Sequence, residues 1–564
     1  MSQAASQAAK PAGTAQSGSA AGRFLVVPII ILILAQMGAT GDNGALSLAA
    51  TALTIDLGAT TAQIQLANMI YPLVGGAFMI AGGLAGTILG WKRTFRAGIL
   101  LCAVGEVAAA LAPTMDIFIW CARVLVGLGA SFMIPSVLGL VPLIYHGPHR
   151  VVAFGAIGAA SGLSALLPLA LGVVMEVAGM HVTFLVLAGY FVVVFALSFA
   201  LPAITQPKAD TSFDAIGVAL SASGLFMVLI GMSSISSWGL IEPLSGAPFS
   251  LFGISPALPL VALGLVVLAG LIAYERRVEN AGKTPVLPSA FLTTPQVRAG
   301  LVACAVTFFF MGAQSILMAP YLQLVSNWSP VAVGAISIVT GVPTFALSLG
   351  IPKLMPHAHP RRVIQTGYVI MATALGVMAL SVTSGGSNAP LVYLGAFLAG
   401  VGAGTVSSHA SNVVAAALPE REAAQSGGIQ STMRNVGQAL GVALLGAVLL
   451  FGITGSVRSG AAASGDISEH AQEQLSQINI NLGSSATFEK QIAGLDVTDT
   501  ERAELVKIEA KSRYDSVRVA YAVGAVIVLA ALATTPTIGR SGTAGAKGPA
   551  AAKAQPAAKG WPAK

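Results

Sequence analysis

Asp42, Glu106, Arg123 and His409 are ionisable side chains set inside otherwise apolar stretches, "GDNGALSLAATALTIDLG", "LLCAVGEVAAALAP", "ARVLVGLGA" and "GTVSSHASN". In hydrocarbon each formal charge costs roughly 2.5–3.5 kcal/mol on the insertion scale, so it must be paired, hydrated or put to use. An intramembrane carboxyl is suited to relaying protons; Asp42 has that chemistry, or it caps a helix break at Gly41 and Gly44. If the turn after Glu106 centres near Pro113 to Met115, Glu106 and Arg123 lie about eight or nine residues from it on antiparallel helices, at about 13 Å depth. That register predicts an ion pair, either one that opens and closes with a proton or a static one. His409 heads a polar stripe with Ser407, Ser408, Ser411 and Asn412 on a Gly-Ala helix. It is placed to contact a substrate or take up a proton, or to hydrogen-bond neighbouring helices.

The elements that position these groups must be membrane helices. Of 564 residues, 55% are hydrophobic and 9% charged, with 64 glycines; a soluble domain is roughly a quarter charged. Apolar runs of about 20 residues have to be helical, because lipid satisfies no backbone N–H or C=O group. The fold class is all-α integral membrane, with about fourteen spans by length and hydropathy. They lie near 24–46, 65–88, 97–112, 117–141, 152–175, 182–201, 213–232, 255–274, 299–319, 331–352, 363–382, 390–415, 435–454 and 517–536. Cys102, Cys121 and Cys304 all fall inside such runs and read as packing residues. His357 and His359 in "PHAHPRR" lack the further ligands a metal site needs, so no metal is expected. Without a Walker P-loop or an HExxH stretch, ATP-driven and zincin chemistry has no support, and no cofactor is expected.

Lys and Arg collect in cytoplasmic loops. Lys92, Arg93 and Arg96 follow the second run, Arg150 the fourth, Arg276, Arg277 and Lys283 the eighth, and Lys353, Arg361 and Arg362 the tenth; the opposite loops carry Asp56, Asp116 and Glu242. Both termini are therefore expected in the cytoplasm. The expected organisation is a disordered tail over 1–22, a six-span bundle over 23–204, a two-span insertion with linker over 205–284, a second six-span bundle over 285–537, and a disordered tail over 538–564. The Lys-bearing last tail is solvated or touches anionic lipid. Residues 455–516 form a long outer loop in which Thr498 or Asp499 can cap a polar extension of the last helix, a place where a partner could bind.

"GGLAGTILGWKR", from Gly82 to Arg93, resembles the loop between spans two and three of the major facilitator superfamily. Gly83, Gly90, Lys92 and Arg93 match, whereas Thr87 and Ile88 stand where an acid and a base are usual. Other stretches resemble its fourteen-span drug/proton antiporter branch over roughly residues 24–455. Asp42 takes the acidic position of the first-span motif, with Ser47 and Thr51 replacing Asn and Pro. Arg123 and Gly127 match the fourth-span motif, with Val126 in place of a frequent Gln. Gly162, Pro168 and Gly172 keep the frame of the fifth-span antiporter motif, while Ser164 and Ala165 replace its central Gly-Pro. "YERR" after the eighth run, "YLQ" ending at Gln323, and "SGGIQSTMRNVGQALGVALLG" also match.

The resemblance implies a secondary transporter, not an enzyme, in which two bundles alternate access around a midplane cavity. It implies export of small amphipathic or cationic compounds in exchange for protons across a bacterial inner membrane, with lipid around it and no nucleic acid partner. Asp42, Glu106 and Arg123 would handle the proton; Gln323, His409 and Asn412 would face substrate; the glycines and Pro168 would serve packing and gating. A dedicated metabolite exporter, or a non-transporting receptor acting through the outer loop, are the alternatives. The missing pair at Thr87 and Ile88 predicts a gate held in some other way.

Overall fold

The computed structural model describes residues 24–59, 61–164, 166–204, 214–243, 247–283, 285–383, 386–477, 480 and 485–539. The tails expected over 1–22 and beyond 539, and much of the expected linker, lie outside the described residues, as do the side chains of Ser47, Thr51 and Pro168.

Helices α1 (Val26–Leu48), α2 (Thr61–Leu89), α3 (Trp91–Ala110), α4 (Val124–Ile144), α5 (Gly147–Leu163) and α6 (Leu166–Leu197) pack on one another. A pair, α7 (Ala215–Ser233) and α8 (Ala257–Asn280), packs mainly on itself and on α2. A second set follows: α9 (Pro295–Leu324), α10 (Pro330–Leu354), α11 (Pro360–Ser381), α12 (Ala389–Ser407), α13 (Glu420–Ala463) and α14 (Asp499–Ala530). A helix thus lies over every apolar run read from the sequence. Among the described residues, eleven are long and apolar enough to cross a membrane; α3, which carries Lys92, Arg93, Arg96 and Glu106, is not among the eleven. The strands Val382–Thr383 and Gly386–Ser387 make one small antiparallel hairpin.

Local chemistry explains the joints. Gly90 adopts φ +95°, a conformation natural to glycine, and this turns the chain from α2 into α3. Gly179 at φ +79° breaks α6, so that its first half completes the fifth run and its second half is the sixth. Between α5 and α6 the helix is interrupted at Ser164, whose hydroxyl donates back to the Ala160 and Ser161 carbonyls. Thr498 and Glu501 form a reciprocal capping box at the start of α14. Helices Glu469–Gln477 and Ser485–Ile492 lie between α13 and α14, burying Leu475, Phe488 and Ile492 in the same core as Leu505. The expected loop is therefore a folded extension of α13 and α14, and α13 begins at Glu420, well before the run expected from 435.

The two sets meet through α2 and α4 against α13, and through α5 against α10 and α12. A Cβ on Gly83 would lie 3.0 Å from Gly428 Cα. A Cβ on Gly155 would collide with the Ser348 carbonyl, and one on Gly162 with that of Gly341. Ser348 Oγ also donates to the Gly155 carbonyl at 2.8 Å. The Gly155–Ser348 contact lies near the basic residues Arg150 and Lys353, whereas Gly162 and Gly341 meet about twelve residues from those charges along their helices. Thr87 only donates to its own helix, at Leu84. Lys92 Nζ donates to the Leu201 and Pro202 carbonyls at 3.0 and 2.9 Å, Arg96 reaches Ser198, and Arg93 is exposed. The cations thus fasten α3 to the end of α6, matching charge to backbone carbonyls, while the seam between the sets combines close glycine contacts with side-chain hydrogen bonds.

Candidate functional site

Arg123 closes a π-helical turn, Phe118–Arg123, that leads into α4. Its guanidinium grips Asp42 of α1 with both arms: Nη1 to Oδ1 and Nη2 to Oδ2, each 2.8 Å. Glu106 of α3 stands beside Asp42, its Oε1 4.0 Å from the same Arg123 Nη1. All three side chains are fully buried. Close helix approach makes this possible. A Cβ on Gly127 would lie 3.0 Å from the Tyr71 carbonyl, and one on Gly105 2.6 Å from Val126, so α4 sits tightly on both α2 and α3. The Arg123 guanidinium lies 5.2 Å from the Tyr71 ring centre, and Tyr71 donates its hydroxyl to the Ala39 carbonyl at 2.8 Å, fixing α2 to α1 one turn from Asp42.

The expected Glu106–Arg123 partnership takes a different form. The two are adjacent, but Asp42 occupies the bidentate edge of the guanidinium, the stronger geometry for a carboxylate. Both Glu106 oxygens, and Arg123 Nε, have no hydrogen-bond partner among the described residues. One fixed cation thus faces two carboxyls: the cluster is neutral when one carboxyl holds a proton and negative when neither does.

Beside this cluster, where the two sets of helices face each other, lies a cavity of about 130 Å³. The first set contributes Gln36, Tyr71, Pro72, Gly75 and Met79; the second contributes Phe308, Ser431, Arg434, Asn435 and Gln438. None of the three substrate candidates chosen from sequence lines it. Gln323 is exposed in the last turn of α9, more than a dozen residues along from Phe308. His409 sits at a break after α12, buried, with its Nδ1 2.7 Å from Ser408 Oγ. Asn412 accepts from Arg150 Nε across the seam at 3.3 Å. Gly172 is half-buried in α6. Sequence reasoning passed over Gln36, Arg434, Asn435 and Gln438, although the last three sit in the quoted α13 motif.

A bundle of membrane helices split by a largely apolar cavity with a few polar groups, and with a sealed ionic cluster beside it, defines a multi-pass membrane transporter. The family model "Major Facilitator Superfamily" matches residues 32–442, and the chain belongs to that superfamily. It is 26% identical over 427 residues to the "Probable actinorhodin transporter" of Streptomyces coelicolor, covering 74% of this chain and 70% of the relative. It is 27% identical over 443 residues to the "Puromycin resistance protein pur8" of Streptomyces alboniger, covering 74% and 81%. Its fold is similar to that of an auto-inhibited POT family peptide transporter, with a TM-score of 0.52 at 14% identity, over 94% of this chain and 98% of that one. The chain is thus a secondary transporter of small molecules, related to drug and antibiotic resistance exporters.

Proposed function

We propose that this protein exports small amphipathic compounds in exchange for protons, with Asp42, Glu106 and Arg123 as the coupling site. The observation that carries the reading is the buried cluster of one guanidinium and two carboxyls, one of them with neither oxygen hydrogen-bonded. Asp42 and Arg123 form the standing pair, and Glu106 holds the exchangeable proton. Loss of that proton leaves a net negative charge in a low-dielectric site, which is tolerable only where water reaches it. The cluster therefore favours a sealed arrangement when protonated and a hydrated one when not. The two six-helix sets, rocking about the glycine seam between α2 and α13 and between α5 and α10, alternate that exposure. Each proton moved inward yields about 2.3 kcal/mol per 100 mV of potential. In this reading the basic loops and both termini face the cytoplasm of a bacterial inner membrane.

The test is transport in proteoliposomes. With a pH gradient imposed, the wild type is expected to move the neutral amphiphile N-phenyl-1-naphthylamine against its own gradient, and Asp42→Asn is expected to abolish that movement. Transport that ignores both the gradient and the substitution refutes the coupling.

A further inference from the structure

We infer that the cavity takes organic acids, planar aromatic ones carrying a carboxylate or phenolate, with Arg434 as their counter-ion. This deepens the export reading and rests on it for the site's purpose.

Among the described residues lining the cavity, Arg434 is the only charged one and none is a carboxylate. Among the described residues Arg434 makes no ion pair; its Nη2 donates to Ser411 Oγ at 2.8 Å and its Nε has no hydrogen-bond partner. The contrast with Arg123, whose fork is filled by Asp42, is direct. A guanidinium held in the membrane interior without a counter-ion lacks the pairing that normally offsets its burial. A ligand carboxylate supplies it in the planar, two-pronged geometry that guanidinium favours.

The rest of the wall fits the same ligand. The Arg434 guanidinium lies 5.4 Å from the centre of the Phe308 ring. Tyr71 and Pro72 present flat apolar surface from the opposite set, with Gly75 and Gly76 leaving room beside them. Gln36, nearly buried on α1, has an Oε1 without a hydrogen-bond partner, an acceptor suited to a hydroxyl at the far end of the ligand. The two carboxyls able to attract a cation are fully buried at Arg123 and do not line the cavity. A cationic substrate would meet Arg434 unshielded, and like charges at such range repel strongly in a low dielectric.

The experiment uses the full chain in nanodiscs of zwitterionic phosphatidylcholine, so that no acidic lipid competes for Arg434. Binding is measured for three probes of one shape: 2-naphthoate, 2-naphthalenemethanol and 2-naphthylmethylammonium. Naphthoate is expected to bind at least tenfold more tightly than the ammonium. Arg434→Gln should weaken naphthoate by tenfold or more while leaving the alcohol within about threefold, which also certifies a folded site; Arg434→Lys should restore part of the loss. Failure of naphthoate to bind, equal binding of the ammonium, or naphthoate binding unchanged in Arg434→Gln overturns the inference. Two further results separate it from the transport reading. Naphthoate preference with gradient-insensitive transport leaves Arg434's role standing and removes the coupling. Gradient-driven transport that prefers the ammonium does the reverse.

Discussion

The two sets of helices each place an arginine in the membrane interior and treat it in opposite ways. In the first set, Arg123 is fully buried, gripped by Asp42 and flanked by Glu106. In the second, Arg434 lines a cavity beside Ser411, Cys304 and the Phe308 ring, with no carboxylate among the described residues lining that cavity. In the export reading proposed above, the sealed arginine with two carboxyls handles the proton and the open arginine with none takes its charge from a ligand. That reading divides coupling from ligand recognition between the halves, which share the cavity wall.

The largest effect that would break this comparison is on stability. Arg123→Met strands two carboxyls in the interior and is expected to destabilise the folded protein by about 3–5 kcal/mol, the cost of removing one partner of a buried pair. Arg434→Met strands no carboxylate and should cost within about 1 kcal/mol. Thermal unfolding of both variants in one detergent reads the difference, and equal losses would show the two sites are not of different kinds. Next comes Glu106→Gln, which keeps the Asp42–Arg123 pair but removes the spare carboxyl. Gradient-driven transport is expected to fall tenfold or more, with 2-naphthoate binding unchanged; transport at wild-type rates would leave Glu106 a static neighbour. The smallest effect concerns the seam that couples the halves. Gly83→Ala sets a methyl 3.0 Å from Gly428 Cα. It should shift the populations of the two access states by a few fold, read as spin-label distances between α2 and α13. Unchanged distances would mean the seam does not set the balance.

The first half of this comparison was legible in the sequence because Asp42, Glu106 and Arg123 interrupt apolar runs, where a single charge stands out. Their register across the turn at Pro113 could be counted, and it brought Glu106 beside Arg123. What counting could not give was the order of preference, because Asp42 arrives from a helix distant in sequence and takes both arms of the guanidinium. The π-helical turn at Phe118–Arg123 also leaves no mark in residue types. The second half was hidden by the very residues that make it. Gln425, Gln430 and Arg434 lower the hydropathy of the first turns of α13, so the apolar run reads as beginning at 435, though the helix starts at Glu420. His409 and Asn412 are polar on a span, but polarity does not say which neighbour a helix face meets: one sits at a break and meets Ser408, and the other accepts from Arg150. Thr87 and Ile88 show in the sequence only as a missing charged pair; the close approach of Gly83 to Gly428 depends on two chain segments more than three hundred residues apart.

The folded extension beyond α13 and α14 has a practical consequence. Helices of 44 and 32 residues are about 66 and 48 Å long, against a hydrocarbon core of about 30 Å. Joined by a shared core, they are long enough to reach well beyond the hydrocarbon as a mast. In electron micrographs of a protein otherwise lost inside its micelle, that mast is an alignment mark. Because it continues two helices of the second set without a joint, its tilt against the membrane normal is a direct gauge of how far that half has swung.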